Sequence, residues 1–304
     1  MDELFELLKS RLGKRGVKVV SGLSFAELTT FGCGGKVKLT AYPTTVRQLV
    51  YTVKLLDKLK VNYVLLGKGS NVLASDNDYD GVAVVTAGIT NVQIRGTTVY
   101  ALAGTSTLSL AHALQIAGLT GGEFFACLPA TVGGAVVGNA GCFGQDVGKI
   151  VHGVEILHRG RRKWLKNSKC HFGKRNSVFK NGDYVVLAAR FKLARSTPDV
   201  VKSNIEQMRH RKAASQPLNY RSAGCVFYHD TVSISRLIDQ AGLKGYRVGG
   251  AMVSTKHAGF VLNVDKATAK DIYLVTQHVA ETIWQRYGIR AKLEIRLINF
   301  EENR

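Results

Sequence analysis

The segment PATVGGAVVGNAGCFGQDVG, residues 129–148, decides how the rest of the chain is interpreted. It carries six glycines among apolar residues, and this much glycine disfavours a stable ordinary helix. An extended chain of this composition can wrap a flat anionic cofactor, because its backbone can approach the cofactor closely and donate hydrogen bonds to it. A glycine-rich buried crossover is the structural alternative.

A second glycine loop, Gly67-Lys68-Gly69-Ser70-Asn71, follows the apolar segment VNYVLLG, which predicts a strand. Successive N–H groups in such a loop can form a nest for an anion. The residues that follow, NVLAS, favour an extended chain, whereas phosphate loops and dinucleotide-fold fingerprints require a helix at that point. A tight turn is the alternative interpretation.

Apolar spacing and capping residues predict the remaining elements. Helices are expected at 1–16, where Leu4, Leu7, Leu8 and Leu12 share a face, and at 45–56, 106–117, 198–208, 233–242 and 268–288. A final strand, AKLEIRLI, alternates charged and apolar residues, with Lys292, Glu294 and Arg296 on one face. These elements predict two strand-rich lobes, 1–80 and 81–195, followed by an α/β domain at 196–304.

The net charge of +20 is uneven, because residues 149–212 hold 17 Lys or Arg against 4 Asp or Glu, a net of +13. Nucleic-acid binding, steering of anionic ligands and host adaptation or solubility each account for such an excess. The five cysteines form no CxxC pair and no zinc spacing, so we expect no metal, and their odd count fits a reducing cytoplasm. No signal peptide is recognisable, and no apolar run approaches the ~20 residues of a membrane span.

Several segments occur together, in the same order, in a known family. The chain resembles the UDP-N-acetylenolpyruvoylglucosamine reductases, in the type that lacks an extra substrate-site tyrosine loop. The resemblance is carried by TTFGCGG (29–35), GKGSNVL (67–73), AGTSTLSLAHAL (103–114), GLTGGEFFACLPATVGGAVVGNAGCFG (118–144), FGKRNSVFK (172–180), QPLNYRSAGCVF (216–227), AGLKGYRVGGAMVSTKHAGFVLN (241–263) and the strand around Glu294.

This resemblance implies an α+β protein, with a two-lobed FAD-binding domain of the vanillyl-alcohol oxidase-like (PCMH-type) fold and a C-terminal α/β substrate-binding domain. It implies an oxidoreductase with tightly bound, non-covalent FAD and with NADPH as co-substrate. The implied reaction reduces the enolpyruvyl ether of UDP-N-acetylglucosamine to UDP-N-acetylmuramate for peptidoglycan synthesis. We expect a cytoplasmic monomer that acts on a UDP-sugar, binds no nucleic acid and does not insert into a membrane.

The resemblance also assigns residues. Arg175 matches the active-site arginine, Cys225 stands where the family has a serine proton donor, and Glu294 matches the active-site glutamate. The cofactor residues implied are Gly67, Lys68, Gly69, Ser70, Asn71, Pro129, Thr131, Gly133, Gly134, Asn139, Ala140 and Gly141. Further substrate-pocket candidates are Ser254, Lys256, His257 and His229.

The roles assigned to these residues follow from their chemistry. Reduced flavin delivers hydride to the vinyl carbon, and a guanidinium such as that of Arg175 can grip the carboxylate on which charge develops. A thiol, with a reference pKa of ~8.5, gives up a proton more readily than a hydroxyl. Glu294 would act in proton delivery or in stabilising the intermediate. Without the family context, an exposed arginine, a buried structural cysteine and an exposed charged strand face are the ordinary interpretations.

The sequence departs from the family in places. Lys174 stands where a tyrosine often precedes the active-site arginine, and Tyr228-His229-Asp230 replaces a Lys-Asn-Pro continuation. Ala130 and Gly259 also replace commoner residues. These changes leave open the details of substrate binding. Another FAD oxidoreductase of the same fold, such as a sugar or hydroxy-acid oxidase, and a basic nucleic-acid-binding protein are the alternative functions.

Overall fold

The computed structural model describes residues 2–300 of the chain. The chain forms two compact units. Unit 1 comprises Met1–Val20, Leu39–Lys68 and Gly81–Lys212, and unit 2 comprises Ser21–Lys38, Gly69–Asp80 and Ala213–Arg304. The three-part division predicted from the sequence, into 1–80, 81–195 and 196–304, consists of continuous segments, unlike these units, and it stays a prediction. Met1 and residues 301–304 lie outside the described residues.

The helices and strands are given in chain order. The α-helices are α1 (Asp2–Gly13), α2 (Phe25–Leu28), α3 (Val46–Leu59), α4 (Thr107–Ile116), α5 (Val132–Val137), α6 (Val147–Ile150), α7 (Pro198–Ser215), α8 (Ile234–Gln240) and α9 (Ala269–Tyr287). Short 3-10 helices occupy Thr86–Gly88, Glu123–Cys127, Asn167–Lys169 and Val178–Asn181. The strands are β1 (Lys18–Ser21), β2 (Val37–Tyr42), β3 (Tyr63–Leu66), β4 (Val72–Ala74), β5 (Tyr79–Val85), β6 (Val92–Arg95), β7 (Thr98–Leu102), β8 (Leu119–Thr120), β9 (Gly141–Cys142), β10 (Gln145–Asp146), β11 (Val151–His158), β12 (Arg161–Lys166), β13 (Tyr184–Lys192), β14 (Ala194–Arg195), β15 (Phe227–Tyr228), β16 (Arg247–Val248), β17 (Ala251–Val253), β18 (Val261–Asn263), β19 (Lys292–Leu293) and β20 (Arg296–Ile298).

Unit 1 contains two hydrophobic cores. The first lies between helices α1 and α3 and a sheet of order β1-β2-β5-β3, in which β3 and β5 run parallel. The second covers one face of the antiparallel sheet β12-β11-β13-β7-β6 with α4, α5 and part of α7. Strands β11 and β13 contribute to both cores: Val154 and Ala189 pack in the second core, and Leu157 and Leu187 pack in the first.

Unit 2 has its own core, in which α8 and α9 pack with the antiparallel sheet β16-β17-β18. Helix α9 buries Ile272, Val275, Val279 and Ile283 on one stripe. Its N-terminus is capped twice. Thr268 and Asp271 form a capping box, and the carboxylate of Asp76 accepts hydrogen bonds from the Ala269 and Lys270 N–H groups, each at 2.9 Å. The first turn of α9 therefore has its orphan donors satisfied within unit 2.

The predicted helices are confirmed, including the Thr45 cap of α3 and the Gly288 end of α9. The strand predicted at 61–67 and the extended chain after Asn71 are also confirmed, as β3 and β4. On α1, Leu8 and Leu12 are fully buried together with Phe5, which lies three residues before Leu8 on the same stripe. Leu7 lies beside this stripe and is exposed.

Two predictions were wrong in detail. The glycine-rich segment contains a six-residue helix, α5, because Thr131 caps it and its apolar residues pack into the second core of unit 1. The single final strand is two strands, β19 and β20, because β19 pairs with β15 whereas β20 pairs with β4. The break between them contains Glu294. Within the described residues, no helix is long and apolar enough to cross a membrane, and no group of three or more metal-ligating side chains forms.

Candidate active site

The loop after β3 turns at Gly69, where φ is +61° and a Cβ atom would collide with the carbonyl oxygen of Leu28. Only glycine fits there. The Gly69 oxygen accepts from the N–H of Thr30 at 3.1 Å, which anchors the loop. Among the described residues, the N–H groups of Gly69, Ser70 and Asn71 donate to no acceptor of the chain. Three successive free N–H groups, that of Gly69 on a buried residue, are available to an anion.

The start of this loop lies against the glycine-rich segment. A Cβ atom on Gly67 would collide with Oγ1 of Thr131, a residue that is 1% exposed. That oxygen caps α5 by accepting from the N–H of Gly134 at 3.3 Å. The two glycine loops that the sequence singled out therefore meet at Gly67 and Thr131, both in unit 1.

Most backbone donors at the start of α5 are used by the fold. The N–H groups of Val132 and Gly133 donate to the carbonyl oxygens of Thr105 and Ala103, each at 2.8 Å. A Cβ on Gly133 would press against Ala103, so this glycine allows close packing. Gly134 and Pro129 are exposed. Of the cofactor residues predicted around α5, these two present the most open surface.

The end of the segment is a tight hairpin. Gly141 pairs with Asp146, and a Cβ on Gly141 would collide with the backbone oxygen of Gln145. Ala140 donates from its N–H to the Ala135 oxygen at 2.8 Å. Glycine at 141 is thus required by the β9–β10 pairing itself.

Asn139 has a role that the sequence did not suggest. It is 5% exposed, its Nδ2 donates to the carbonyl oxygen of Gly173 at 2.8 Å, and its Oδ1 accepts from the Gly148 N–H at 2.7 Å. Both polar ends of the side chain are therefore engaged, and they tie the loop of Gly173 to helix α6. Its φ of 42° is left-handed, a conformation that asparagine tolerates better than most residues.

Arg175 sits at the tip of the loop that Asn139 holds. Gly173 and Asn176 exchange hydrogen bonds of 3.0 and 3.1 Å, which close a two-residue turn formed by Lys174 and Arg175. Arg175 is half-buried and has a φ of 54°, where glycine is favoured. A non-glycine residue held in this conformation stores local strain, which is common at functional sites.

A residue missed by the sequence analysis secures the other side of this turn. Ser177 is 3% exposed, and its Oγ donates to the Val137 oxygen at 2.6 Å, at the end of α5. Asn139 and Ser177 thus bind the Arg175 turn to the glycine-rich segment from both flanks. Only the contacts reveal this role, since a serine and an asparagine at this spacing form no motif.

In unit 2 the structure brings Asn71, Glu294 and the strand of Cys225 together. Asn71 Nδ2 donates to the Glu294 backbone oxygen at 3.1 Å, and the Asn71 oxygen accepts from the Arg296 N–H at 3.0 Å. The Glu294 N–H donates to the oxygen of Val226, the neighbour of Cys225, at 2.7 Å. The backbone of Cys225 forms an isolated antiparallel β-bridge with Phe260. Both Cys225 and Glu294 are half-buried.

The further substrate candidates are engaged in local turns of unit 2. Ser254 Oγ accepts from the N–H groups of Lys256 and His257, both at 3.1 Å, while Lys256 Nζ donates to the Ala213 oxygen at 2.6 Å. His257 Nδ1 accepts from the Gly259 N–H at 3.1 Å, and burial lowers the pKa of His257. His229 Nδ1 accepts from the N–H groups of Thr231 and Val232, just before α8.

The basic stretch 149–212 contributes to one open face of the five-stranded sheet in unit 1. A cavity of about 780 Å³ lies there. Arg190 stacks over the Trp164 ring at 4.6 Å, and Arg162 pairs with Glu155 at 2.6 Å. The cavity is lined by Gln93, Arg95, Thr98, Tyr100, His152, Arg190, Phe191 and Lys192. Arg162 and Arg190 therefore take part in packing on this sheet face in addition to contributing positive charge.

Comparisons with known proteins agree with this geometry. Residues 37–161 match the family model of an FAD binding domain. A berberine bridge enzyme variant superimposes with a TM-score of 0.50 over 72% of this chain and 51% of its own, and at 15% identity this likeness shows the fold alone. The free N–H groups at Gly69–Asn71 suit the pyrophosphate of such a cofactor. The chain is thus a flavin-dependent oxidoreductase with an FAD-binding domain of the vanillyl-alcohol oxidase-like (PCMH-type) fold.

The remaining matches define the family. Residues 216–298 match the C-terminal domain of UDP-N-acetylenolpyruvoylglucosamine reductase. The reductase of that name from Latilactobacillus sakei is 32% identical over 93% of this chain and 94% of its own length, and one from Bacillus anthracis is 33% identical over 98% of both. The crystal structure of the Thermus caldophilus enzyme superimposes with a TM-score of 0.78 at 29% identity, covering 93% of this chain and 98% of its own. The chain belongs to the UDP-N-acetylenolpyruvoylglucosamine reductase family.

Proposed function

We propose that this chain catalyses the NADPH- and FAD-dependent reduction of UDP-N-acetylglucosamine enolpyruvate to UDP-N-acetylmuramate, a step in peptidoglycan precursor synthesis. The observation that carries the proposal is the Asn71–Glu294 hydrogen bond of 3.1 Å. It ties the loop suited to a cofactor pyrophosphate to the strand break that presents the predicted catalytic glutamate. When bound, FAD supplies the hydride, which originates from NADPH and is added to the vinyl carbon.

The residues proposed to hold FAD act in two ways. Gly69, Ser70 and Asn71 offer free backbone donors to the pyrophosphate. Gly67 and Thr131 hold the two glycine loops in close contact, whereas Gly133 allows close packing against Ala103 and Gly141 allows the tight hairpin with Gln145. Lys68, Pro129, Gly134 and Ala140 complete the proposed cofactor surface.

Arg175 is proposed to bind the enolpyruvyl carboxylate. Its guanidinium can donate two parallel hydrogen bonds, and it keeps its charge when water is excluded. The left-handed turn, clamped by Asn139 and Ser177, supports a fixed orientation for this side chain. A preorganised cation stabilises charge that develops on the substrate during reduction. Lys174, at the same tip, adds a second positive charge in place of the family's aromatic residue.

Cys225 is proposed to donate the proton to the carbon next to the reduced position, with its thiol as general acid. Glu294 is proposed to assist this proton delivery or to stabilise the intermediate. The segments that carry Cys225 and Glu294 are joined directly by the hydrogen bond from the Glu294 N–H to the Val226 oxygen. Ser254, Lys256, His257 and His229 are proposed to shape the substrate pocket through the turns that they stabilise.

We further propose a cytoplasmic monomer of the type without the extra tyrosine loop, divided into lobes 1–80 and 81–195 and a substrate domain 196–304, with no nucleic-acid partner. The five cysteines all lie within the described residues and form no disulfide with one another, and their odd number supports a reducing compartment.

The proposed reaction is tested by recording the visible absorbance of the flavin under anaerobic conditions in a single cuvette. The purified protein is expected to be yellow, to bleach with NADPH and to recolour when UDP-N-acetylglucosamine enolpyruvate is added. If it bleaches but recolours only with oxygen, the substrate is wrong, and another oxidoreductase of the same fold is the better assignment. A colourless protein that cannot be reconstituted with FAD would refute the proposal entirely.

A further inference from the structure

Two cysteines that the proposed reaction does not use lie in contact in unit 1. Cys127 ends the 3-10 helix Glu123–Cys127, and Cys142 ends β9. Strand β9 packs against this 3-10 helix, and the side chains of Cys127 and Cys142 interact. The Cys142 sulfur also lies 3.8 Å from the carbonyl oxygen of Phe124, within the same 3-10 helix. The two cysteines are therefore neighbours in space, although helix α5 separates them in sequence.

The surroundings give the two thiols different chemistry. The hydrogen bond from Cys142 lowers the pKa of Cys127 to about 7 against the opposing effect of burial, and the positive charges of Lys212 and Arg209 lower it further. The same hydrogen bond, with burial and the Cys127 charge, raises the pKa of Cys142. Lys212 is held in place, because its Nζ donates to the Cys127 backbone oxygen at 2.6 Å. Cys127 is therefore the thiol of the pair that ionises more readily, and Cys142 is the one that retains its proton.

Two other thiols provide a contrast within the same chain. Burial raises the pKa of Cys33 to about 12, with the carboxylates of Asp76 and Asp271 adding to it, and burial raises the pKa of Cys170 to about 11. Such thiols react slowly, because the thiolate is the nucleophile. These two cysteines serve as internal controls for any oxidation of the pair.

We propose that Cys127 and Cys142 form a reversible disulfide, a redox modification site that closes across the base of helix α5. The oxidant is hydrogen peroxide, because Cys127 is only 4% exposed and admits a small reagent alone. The Cys127 thiolate attacks one peroxide oxygen: the S–O bond forms, the O–O bond breaks, and the leaving hydroxide takes a proton to become water. The Cys142 sulfur then attacks the sulfenic acid, loses its proton and releases a second water as the S–S bond forms.

Reduction begins at Cys142, whereas oxidation begins at Cys127. Cys142 is half-buried, so its sulfur is the one that an external dithiol reaches. Attack there forms a mixed disulfide with Cys142 and releases Cys127, the better leaving group because its pKa is lower. The second thiol of the reductant then frees Cys142. The pair is thereby suited to cycle, as transient redox-sensing disulfides do in a reducing compartment.

The bond would bracket the segment proposed to hold FAD. It joins the residue before Leu128 and Pro129 to the residue after Gly141, and the Arg175 charge acts on Cys142. Oxidation is therefore expected to slow the reduction of substrate, and this consequence rests on the proposed function. The formation of the disulfide is independent of the proposed function.

Trypsin makes the chemistry directly readable, because no Lys or Arg lies between Arg95 and Lys149 and a single peptide, 96–149, contains both cysteines and no other. The full-length protein is treated with a small molar excess of hydrogen peroxide, unfolded, alkylated and digested. The peptide is expected to lose both alkyl groups together and to weigh two hydrogens less than the unalkylated dithiol. Dithiothreitol is expected to restore both alkylation sites, while Cys33 and Cys170 stay alkylated throughout.

Two variants sharpen the result. In Cys142→Ser, Cys127 is expected to carry oxygen, trapped by a sulfenic-acid reagent, whereas Cys170→Ser is expected to behave as wild type. The proposal is overturned if wild-type Cys127 gains two oxygens while Cys142 remains alkylated, or if neither reacts while another cysteine does. These masses do not depend on flavin, so a protein that forms the disulfide but never binds FAD would refute the proposed function alone.

Discussion

The side-chain amide of Asn71 donates to the backbone oxygen of Glu294 across 3.1 Å, although 223 positions separate the two residues in the chain. The reciprocal bond, from the Arg296 N–H to the Asn71 oxygen at 3.0 Å, makes the connection double. A glycine loop and the break between β19 and β20 are thereby held in register within unit 2. This arrangement links the proposed pyrophosphate loop to the proposed catalytic glutamate.

Asn71→Asp is expected to lose the amide donor and to place an oxygen against the Glu294 carbonyl. We expect a stability loss of about 1 kcal/mol, typical of one hydrogen bond, and slower flavin reoxidation by substrate. Asn299→Asp is the matched control, because Asn299 Nδ2 also donates to backbone oxygens, those of Asn77 and Asp78, in the same unit. Urea unfolding and stopped-flow absorbance measure both. Equal reoxidation rates in the two variants would remove Asn71 from the site.

Asn139→Asp separates two possible roles for that residue. The aspartate keeps the acceptor for the Gly148 N–H but cannot donate to the Gly173 oxygen. If Asn139 positions the Arg175 turn, amide exchange at Asn176 rises and substrate reduction slows while the flavin content of the purified protein is unchanged. If Asn139 binds the cofactor, the flavin content falls first. Hydrogen exchange and the flavin-to-protein absorbance ratio distinguish these outcomes.

Arg175→Ala is expected to leave flavin reduction by NADPH intact and to slow the reduction of substrate, because only the second half-reaction develops charge on the carboxylate. Arg175→Gly should show the same kinetic defect but be more stable than Arg175→Ala by about 1 kcal/mol, since φ is 54° at this position. Single-turnover kinetics and thermal unfolding test the pair. Reoxidation of Arg175→Ala at the wild-type rate would exclude Arg175 from the mechanism.

Cys225→Ser is expected to keep substantial activity, because a hydroxyl can replace the thiol as proton donor. Cys225→Ala is expected to accept hydride from NADPH normally but to reduce substrate about 10²–10⁴-fold more slowly, the usual contribution of a general acid. The two half-reactions are followed separately by flavin absorbance under anaerobic conditions. If the alanine variant turns over substrate as fast as wild type, the proton comes from another group.

The capping box of α9 predicts an acid-sensitive stability. Burial alone raises the pKa of Asp271, but hydrogen bonds from the N–H groups of Thr268 and Gly250 outweigh it, so that the pKa lies below its ordinary value. A carboxylate with a lowered pKa contributes stability that is complete above about pH 4 and is lost as the pH falls through the folded value.

Thermal unfolding as a function of pH tests this effect. Asp271→Asn is expected to show a shallower loss of Tm below about pH 4 than wild type. Asp265→Asn is the control, because Asp265 is an exposed partner of Arg247 at 3.3 Å and caps no helix. Parallel curves for wild type and Asp271→Asn would contradict the assignment.

Sequence patterns predicted the helices and the order of the elements, because amphipathic spacing and caps are local properties. The Thr268–Asp271 box and the glycine after Tyr287 specify the two ends of α9 without reference to any other segment. The ordered glycine loops likewise pointed to the family that the comparisons confirm. Local signals failed at α5, because a six-residue helix of this composition depends on a Thr131 cap and on burial against the core of unit 1.

The sequence by itself therefore determined the family, the FAD-binding fold and the residue types available for chemistry. Tertiary structure alone decided which of them meet. Asn139 lies against Gly173, Asn71 against Glu294, and Cys142 against the 3-10 helix that ends at Cys127, and each contact joins segments that have no periodic relation in sequence. The physical reason is that hydrogen bonds and charge effects act over a few ångströms in space. Their partners are set by how the sheets and helices pack, and spacing along the chain carries no record of that packing.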